Sequence, residues 1–144
     1  MIKTTPFEMV FIIRVILEIT VGMIGEVSTL VEREDTAHEV GSGSLLVYAT
    51  PCMVALMEGA ACEAIAPAMK EEKTSVGTEL SIRHISATPV GLEVRAEAEV
   101  TEVNGNTITF LVTAYDEAGK IGEGIHKRAV VTTQKFLDKT YSKL

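Results

Sequence analysis

The chain has 144 residues, 47% of them hydrophobic and 23% charged, which suits one domain with one core and an ordinary soluble surface. Its formal net charge is -7 and its lysines and arginines form no basic run, so nucleic acid and anionic membrane surfaces are disfavoured as partners. A small anionic ligand is still compatible with this charge, because an acidic protein can carry a locally positive site.

The first 18 residues have no clear assignment. The apolar run 7–19 is interrupted by Glu8, Arg14 and Glu18. A membrane-spanning helix needs roughly twenty uninterrupted apolar residues, and no small-residue cleavage site follows. We therefore treat 1–18 as an N-terminal extension and expect the folded domain to cover 19–144.

The next elements are strands and a polar connection. Apolar residues at alternate positions predict a strand over 19–32. The polar segment 34–42 contains His38, which we expect to be solvated. A short strand is predicted at 45–49.

A helix start follows at Thr50, whose hydroxyl is suited to N-capping, with Pro51 at the first helical position. The run 52–66 consists almost entirely of small or apolar residues, and Pro67 predicts its end. A helix that is apolar on nearly every side is expected to be buried on nearly every side.

The two cysteines of the chain, Cys52 and Cys62, both lie in this helix. No CxxC pair and no Cys/His cluster with metal-ligand spacing is present in the sequence. We expect two small buried side chains, no metal site and a reduced, cytoplasmic location.

Long strands are predicted after the helix. In 76–86 the even positions Val76, Leu80 and Ile82 are expected to face the helix, with His84 on the same side. The segment 92–100 alternates even more regularly between apolar and charged residues.

Asn104-Gly105 predicts a tight hairpin, because both residue types accept positive φ. The return strand carries apolar residues at 108, 110, 112 and 114, and a last strand is predicted over 121–133. Antiparallel strands around one buried helix indicate an α+β architecture.

Two residues could carry acid–base chemistry. Glu58 lies midway along the apolar helix, where a carboxylate needs a partner or a raised pKa. His84 lies on the strand face that should contact the helix, so the two would converge as an acid–base pair. The alternatives are that Glu58 points through a gap in the sheet or pairs with an arginine, and that His84 is a hydrogen-bonded core residue.

Thr50 adds a geometric argument, although N-capping alone would explain it. Thr50 and Glu58 are eight residues apart, about 12 Å along a helix, so they cannot touch within one chain. If the helices of two subunits pack antiparallel about a twofold axis, Thr50 of one copy can approach Glu58 of the other. The helix N-terminus would also polarise a carbonyl or stabilise an oxyanion.

His126 lies on the last strand and shares its face with Gly122, Gly124 and Arg128. The two glycines would permit close approach of a ligand or of a neighbouring backbone. A simple edge strand explains the same pattern, and both interpretations stay open.

Five segments together resemble the fluoroacetyl-CoA thioesterase-like branch of the hot-dog superfamily. They read ATPCMVALME at 49–58, VGT at 76–78, SIRH at 81–84, ATPVGL at 87–92 and GEGIHKR at 122–128. The resemblance covers roughly 19–133 and implies a hot-dog fold, in which a curved antiparallel sheet wraps one long central helix.

The resemblance also implies functional residues. The catalytic set of threonine, glutamate and histidine falls on Thr50, Glu58 and His84. Gly77 would offer a backbone N–H near the acyl group, and Arg128 would lie close to the substrate. The catalytic acid would either attack the thioester carbonyl or activate water; no cofactor is implied, because coenzyme A is part of the substrate.

The function expected from the residues and the resemblance is hydrolysis of small or medium acyl-CoA thioesters by a homodimer, with a homotetramer as the alternative assembly. The fluoroacetyl-specialised member has an aromatic lid before its helix, whereas this chain reads GSGSLL at 41–46, so broader acyl selectivity is expected. One alternative is a non-catalytic module that binds acyl-CoA or an acyl carrier. The other is a hot-dog dehydratase, which would also use a histidine and an acid.

Overall fold

The structure of the protein, a computed structural model, describes residues 17–144. Residues 1–16 of the N-terminal extension assigned to 1–18 therefore lie outside the described range. Within the described range there are five strands: β1 (Ile24–Leu30), β2 (Lys73–His84), β3 (Glu93–Asn104), β4 (Thr107–Asp116) and β5 (Gly119–Thr132). The same range contains three α-helices: α1 (Ala37–Val40), α2 (Thr50–Ile65) and α3 (Thr133–Tyr141).

The five strands form one antiparallel sheet in the order β1-β3-β4-β5-β2. The hairpin predicted at Asn104-Gly105 joins β3 to β4, and Gly105 has the positive φ of 60° that this turn requires. β5 lies between β4 and β2, and β2 forms one edge of the sheet. The edge position of β2 leaves one side of its backbone without a partner strand within the described chain.

The helix α2 packs across the concave face of the sheet and forms the core with it. Its buried residues are Met53, Met57, Ala60, Ala61, Ala64 and Ile65. The facing side chains come from alternate positions of β3 and β4: Val94, Ala96, Ala98, Val100, Ile108, Phe110, Val112 and Ala114. The predicted alternation on both strands and the predicted α+β architecture are thus confirmed.

Several predicted boundaries are wrong. The strand predicted over 19–32 is limited to β1, because a turn with Gly22 at φ 95° precedes it. The segment 45–49 makes only isolated bridges, at Val47 and Tyr48. Helix α2 begins at Thr50 with Ala49 as its N-cap, so Thr50 is not the capping residue. The end predicted at Pro67 is confirmed, since α2 stops at Ile65.

Burial of α2 on nearly every side is not achieved within one chain. Ala55 and Cys62 are exposed, and Cys52 is only half-buried, contrary to the expectation of two buried cysteines. The apolar composition of the helix therefore exceeds what one sheet can cover.

A β-bulge in β2 changes which residues face the helix. Gly77 pairs with Arg128 and Glu79 pairs with the next residue of β5, Lys127. Thr78 is therefore an additional residue that has no residue opposite it on β5. Odd positions face inward before the bulge and even positions after it. Val76 consequently points outward, contrary to the parity prediction.

The sequence pattern predicts a strand up to residue 133 and does not indicate the C-terminal helix α3 that begins there. It packs beside the end of β5, where the backbone N–H of Thr133 donates to the carbonyl of Glu72 at 3.1 Å. Among the described residues, no helix has the length and apolar character needed to cross a bilayer.

Candidate active site

The first part of the candidate site joins the start of α2 to the end of β2. The hydroxyl oxygen of Thr50 lies 2.8 Å from Nδ1 of His84. The other ring nitrogen, Nε2, is buried and has no hydrogen-bond partner within residues 17–144. Burial lowers the pKa of His84, with a smaller opposing effect of the Ser86 backbone, so the ring is neutral at neutral pH. A neutral imidazole with one unpartnered nitrogen is equipped to transfer a proton.

A cavity of about 290 Å³ opens beside this pair. Its lining includes Ser42, Tyr48 and Ile85, together with Thr50 and His84 themselves. Tyr48 is only 2% exposed, and burial raises the pKa of its hydroxyl well above the ordinary value. The cavity is thus bounded by small, aromatic and aliphatic groups that suit an acyl chain.

The second part of the site is built around Glu58. Its Oε2 accepts a hydrogen bond from Nη1 of Arg128 at 3.1 Å and lies 3.9 Å from Nε2 of His126. The Glu58 side chain is 40% exposed, whereas that of Arg128 is only 8% exposed. The predicted need for a partner is thus met by an arginine, one of the alternatives that the sequence left open.

The guanidinium of Arg128 is held by more than Glu58. Its Nε donates to Oγ of Ser75 at 2.9 Å, and its Nη2 donates to the Ser75 carbonyl at 3.1 Å. Nη1 also lies 3.2 Å from Nε2 of His126. Four contacts from three residues leave Arg128 little freedom, so its position determines where the Glu58 carboxylate is held.

His126 has a defined tautomer in this arrangement. Its Nδ1 lies 2.9 Å from the carbonyl oxygen of Glu79, which can only accept, so the proton is on Nδ1. Nε2 then accepts from Arg128. Burial is the largest influence on the pKa of His126 and lowers it; Arg128 acts in the same direction, while Glu58 and the Glu79 carbonyl oppose it.

Gly77 allows Glu58 to approach the sheet. A Cβ at this position would lie 2.6 Å from Oε2 of Glu58 and 3.3 Å from Cε1 of His126. Any larger residue would displace the carboxylate. The role of the Gly77 N–H towards an acyl group stays a prediction.

The sequence comparisons bear directly on this geometry. The family model described as fluoroacetyl-CoA-specific thioesterase matches residues 31–134. The chain belongs to this thioesterase family. The matched range contains both parts of the candidate site.

Individual relatives agree with the family assignment. A fluoroacetyl-CoA thioesterase of Streptantibioticus cattleyicolor is 41% identical over 97 residues, which is 67% of this chain and 70% of that protein. A solved structure of a fluoroacetyl-CoA thioesterase is 33% identical and covers 88% of this chain and 98% of its own, with a TM-score of 0.82. A thioesterase superfamily member from Thermus thermophilus is 30% identical over 87% of this chain and 92% of its own, with a TM-score of 0.78. The hot-dog fold expected from the resemblance is confirmed.

In this member of the thioesterase family the five candidate residues fall into two groups within one chain. Thr50 and His84 form one pair, and Glu58, Gly77 and Arg128 form the other group. The ring of His84 contacts Thr50 rather than Glu58. The separation of eight positions between Thr50 and Glu58 keeps the two groups about 12 Å apart along α2.

His126 and Ser75 belong to the second group but were not predicted as site residues. The edge-strand interpretation of His126 is wrong, because β5 lies inside the sheet and the ring stacks on Phe110 at 6.0 Å. The sequence does indicate that His126 and Arg128 share a strand face, because they are two positions apart on one strand. The space beside Gly122 on this strand is filled by another side chain of the protein and not by a ligand, since a Cβ on Gly122 would lie 2.6 Å from Sδ of Met53.

Proposed function

We propose that this protein hydrolyses small or medium acyl-CoA thioesters to the free acid and CoA. The observation that carries the proposal is the pair of complementary half-sites. One half-site has a hydroxyl and a neutral imidazole at a helix N-terminus, and the other has a carboxylate held by a buried arginine. Together they would supply a nucleophile or base, a proton donor and electrophilic stabilisation.

The complete site would be shared between two copies of the chain. Support comes from the edge position of β2 and from the exposed apolar face of α2, which a second copy would cover. A twofold axis normal to the sheet, near the middle of β2, would pair two β2 strands antiparallel and bring the His84 end of one copy towards the Gly77 end of the other. We propose a homodimer on this basis, which could pair further into a tetramer.

The reaction would begin at the thioester carbonyl. The Glu58 carboxylate either attacks the carbon itself or removes a proton from the attacking water, and both routes remain open. Thr50 and the N-terminal N–H groups of α2 would stabilise the developing oxyanion. On the general-base route, the proton taken from water would pass through His84 to the CoA thiolate as the C–S bond breaks. On the nucleophilic route, the thiolate would leave first, and the water that hydrolyses the mixed anhydride at Glu58 would supply its proton through His84. Arg128 would keep the Glu58 carboxylate aimed at the carbonyl.

The acyl group would occupy the cavity beside Thr50 and His84. Its volume of about 290 Å³ and its small lining residues, such as Ala37 and Ala87, support short to medium acyl chains. The GSGSLL stretch at 41–46 contains no aromatic residue to close a tight lid. We therefore expect acceptance of several acyl groups.

The proposal is tested with a panel of acetyl-, propionyl- and hexanoyl-CoA and a reagent that detects the free thiol. We expect Glu58→Ala and His84→Ala each to remove most turnover while circular dichroism shows a folded domain. Glu63→Ala, at an exposed acid of the same helix, and His38→Ala are the matched controls. Unchanged turnover in both site variants would disprove the catalytic assignment.

Two other outcomes identify the competing functions. A non-catalytic module would bind acyl-CoA in calorimetry without releasing CoA, and neither site variant would alter its affinity. A dehydratase would hydrate an enoyl-CoA without producing a thiol.

A reduced, cytoplasmic location is part of the proposal and is supported by the two free cysteines, Cys52 and Cys62.

A further inference from the structure

A lysine-lined cavity lies between the end of the β2–β5 pair and helix α3. It has a volume of about 340 Å³, and three lysines contribute to its wall: Lys73, Lys135 and Lys139. A neighbouring cavity of about 350 Å³ shares Lys73 and Asn106 with it and adds Lys70. We call these two spaces together the lysine cavity. The candidate active site does not include it.

The lysine cavity is locally positive on a chain whose net charge is -7. Within residues 17–144, no carboxylate lies within 4 Å of the ammonium group of any of its four lysines. The Lys73 ammonium donates to Oγ1 of Thr132 at 2.9 Å, which leaves two further N–H groups available. Glu18 is the one acidic residue on the wall of the neighbouring cavity, and Glu71 and Glu72 are close in sequence. Such a site favours an anion with more than one charge.

The cavity is connected to the candidate active site along the inner face of the sheet. Opposite residues of an antiparallel pair point to the same side, so the β2–β5 register gives three successive inward pairs. They are Gly77 with Arg128, Ser75 with Val130, and Lys73 with Thr132. The path from Glu58 to Lys73 is therefore four residues of extended strand, about 14 Å.

We propose that the lysine cavity binds the phosphate groups of the CoA nucleotide while the thioester lies at Glu58. This inference rests on the proposed function. The extended pantetheine arm has a backbone comparable to four or five residues, roughly 15 Å, which matches the path along the sheet. Phe136, which is 40% exposed on the cavity wall, is available to contact the adenine ring.

The test compares acetyl-CoA with acetyl-pantetheine, which has the same reacting group but no phosphate. In the double variant Lys135→Gln/Lys139→Gln we expect the KM for acetyl-CoA to rise about tenfold, since each lost phosphate contact is worth roughly threefold. The kcat and the KM for acetyl-pantetheine should not change. The rise should shrink at high salt.

The control is the double variant Lys120→Gln/Lys143→Gln, which changes the net charge equally at lysines outside the lysine cavity. An unchanged KM for acetyl-CoA in the cavity variant would overturn the inference and leave the proposed function intact. An equal rise for acetyl-pantetheine would also overturn it.

If the unmodified protein hydrolyses neither thioester, the proposed function fails and calorimetry with CoA and pantetheine tests the cavity separately. Weaker CoA binding in the cavity variant would uphold the phosphate site, and no CoA binding by the unmodified protein would overturn it. Equal binding of CoA and phosphopantetheine would assign the lysines to a phosphopantetheine phosphate, as carried by an acyl carrier. That outcome would overturn the nucleotide assignment.

Discussion

The hydroxyl oxygen of Thr50 lies 2.8 Å from Nδ1 of His84, and this contact links the first turn of α2 to the last residue of β2. It occupies one ring nitrogen and leaves the other, Nε2, buried and without a partner in the described chain. The imidazole is therefore oriented by Thr50, with its unpartnered nitrogen available for proton transfer.

Loss of the Thr50 hydroxyl should impair turnover. Thr50→Val removes the contact to Nδ1 at similar size, so we expect kcat to fall about 10- to 100-fold. Thr50→Ser retains the hydroxyl and should stay within a few-fold of the unmodified enzyme. Steady-state hydrolysis of acetyl-CoA across pH measures both variants. A Thr50→Val enzyme with full kcat would show that the contact has no role in turnover.

A methyl group at Gly77 should displace the Glu58 carboxylate. The added Cβ would lie 2.6 Å from Oε2 of Glu58, so Gly77→Ala should lower kcat by about tenfold or more. Gly59→Ala is the control, because its Cβ meets only Cγ2 of Val27 at 3.8 Å. That variant should retain kcat and gain about 0.5–1 kcal/mol in the free energy of unfolding. Equal kcat in both variants would contradict the close approach at Gly77.

Arg128 should not be replaceable by lysine. Arg128→Lys loses the fork of donors to Ser75 and leaves Nε2 of His126 without its donor. We expect the free energy of unfolding to fall by about 2 kcal/mol, less than for a fully buried pair because Glu58 is 40% exposed. Urea denaturation measures the change, with Arg95→Lys at an exposed ion pair as the control. Equal losses in both variants would refute the special role of Arg128.

Buried His126 should make stability depend on pH. Its pKa is lowered in the folded protein, so below about pH 6.5 the unfolded chain takes up a proton that the folded chain does not. Stability therefore falls as pH decreases from there until the buried ring itself protonates, by at most about 1.4 kcal/mol per pH unit for this group. His126→Gln should flatten this dependence in urea titrations, whereas His38→Gln, at an exposed side chain, should not. A slope unchanged by His126→Gln would contradict the assignment.

Subunit mixing tests whether the two half-sites come from different chains. Glu58→Ala and His84→Ala chains should each be inactive alone. After random mixing, half of the dimers would contain one of each, and each mixed dimer would have one intact site of two. About a quarter of the unmodified activity should return. If both residues act within one chain, no activity would return.

The strand faces and the helix could be predicted from the sequence because they depend on local periodicity. Charged and apolar residues alternate through 92–100, and the same positions of β3 are buried in the structure. A proline in the interior of such a run ends the helix because it has no N–H to donate, and Pro67 is in that position here. Glu58 and His84 could be singled out because a charged or titratable group in an apolar pattern is unusual.

The partners of these residues were decided only by the tertiary structure. The bulge at Thr78 reverses the parity of β2 and thereby brings Gly77 to the inner face opposite Arg128, and an additional residue of this kind leaves no trace in the hydrophobic pattern. The pairing of Arg128 with Glu58 joins residues 70 positions apart, which no local period encodes. The sequence by itself determined which chemical groups face the core. The register of β2 against β5 decided which of them meet, because contacts between distant segments depend on the packing of the whole sheet.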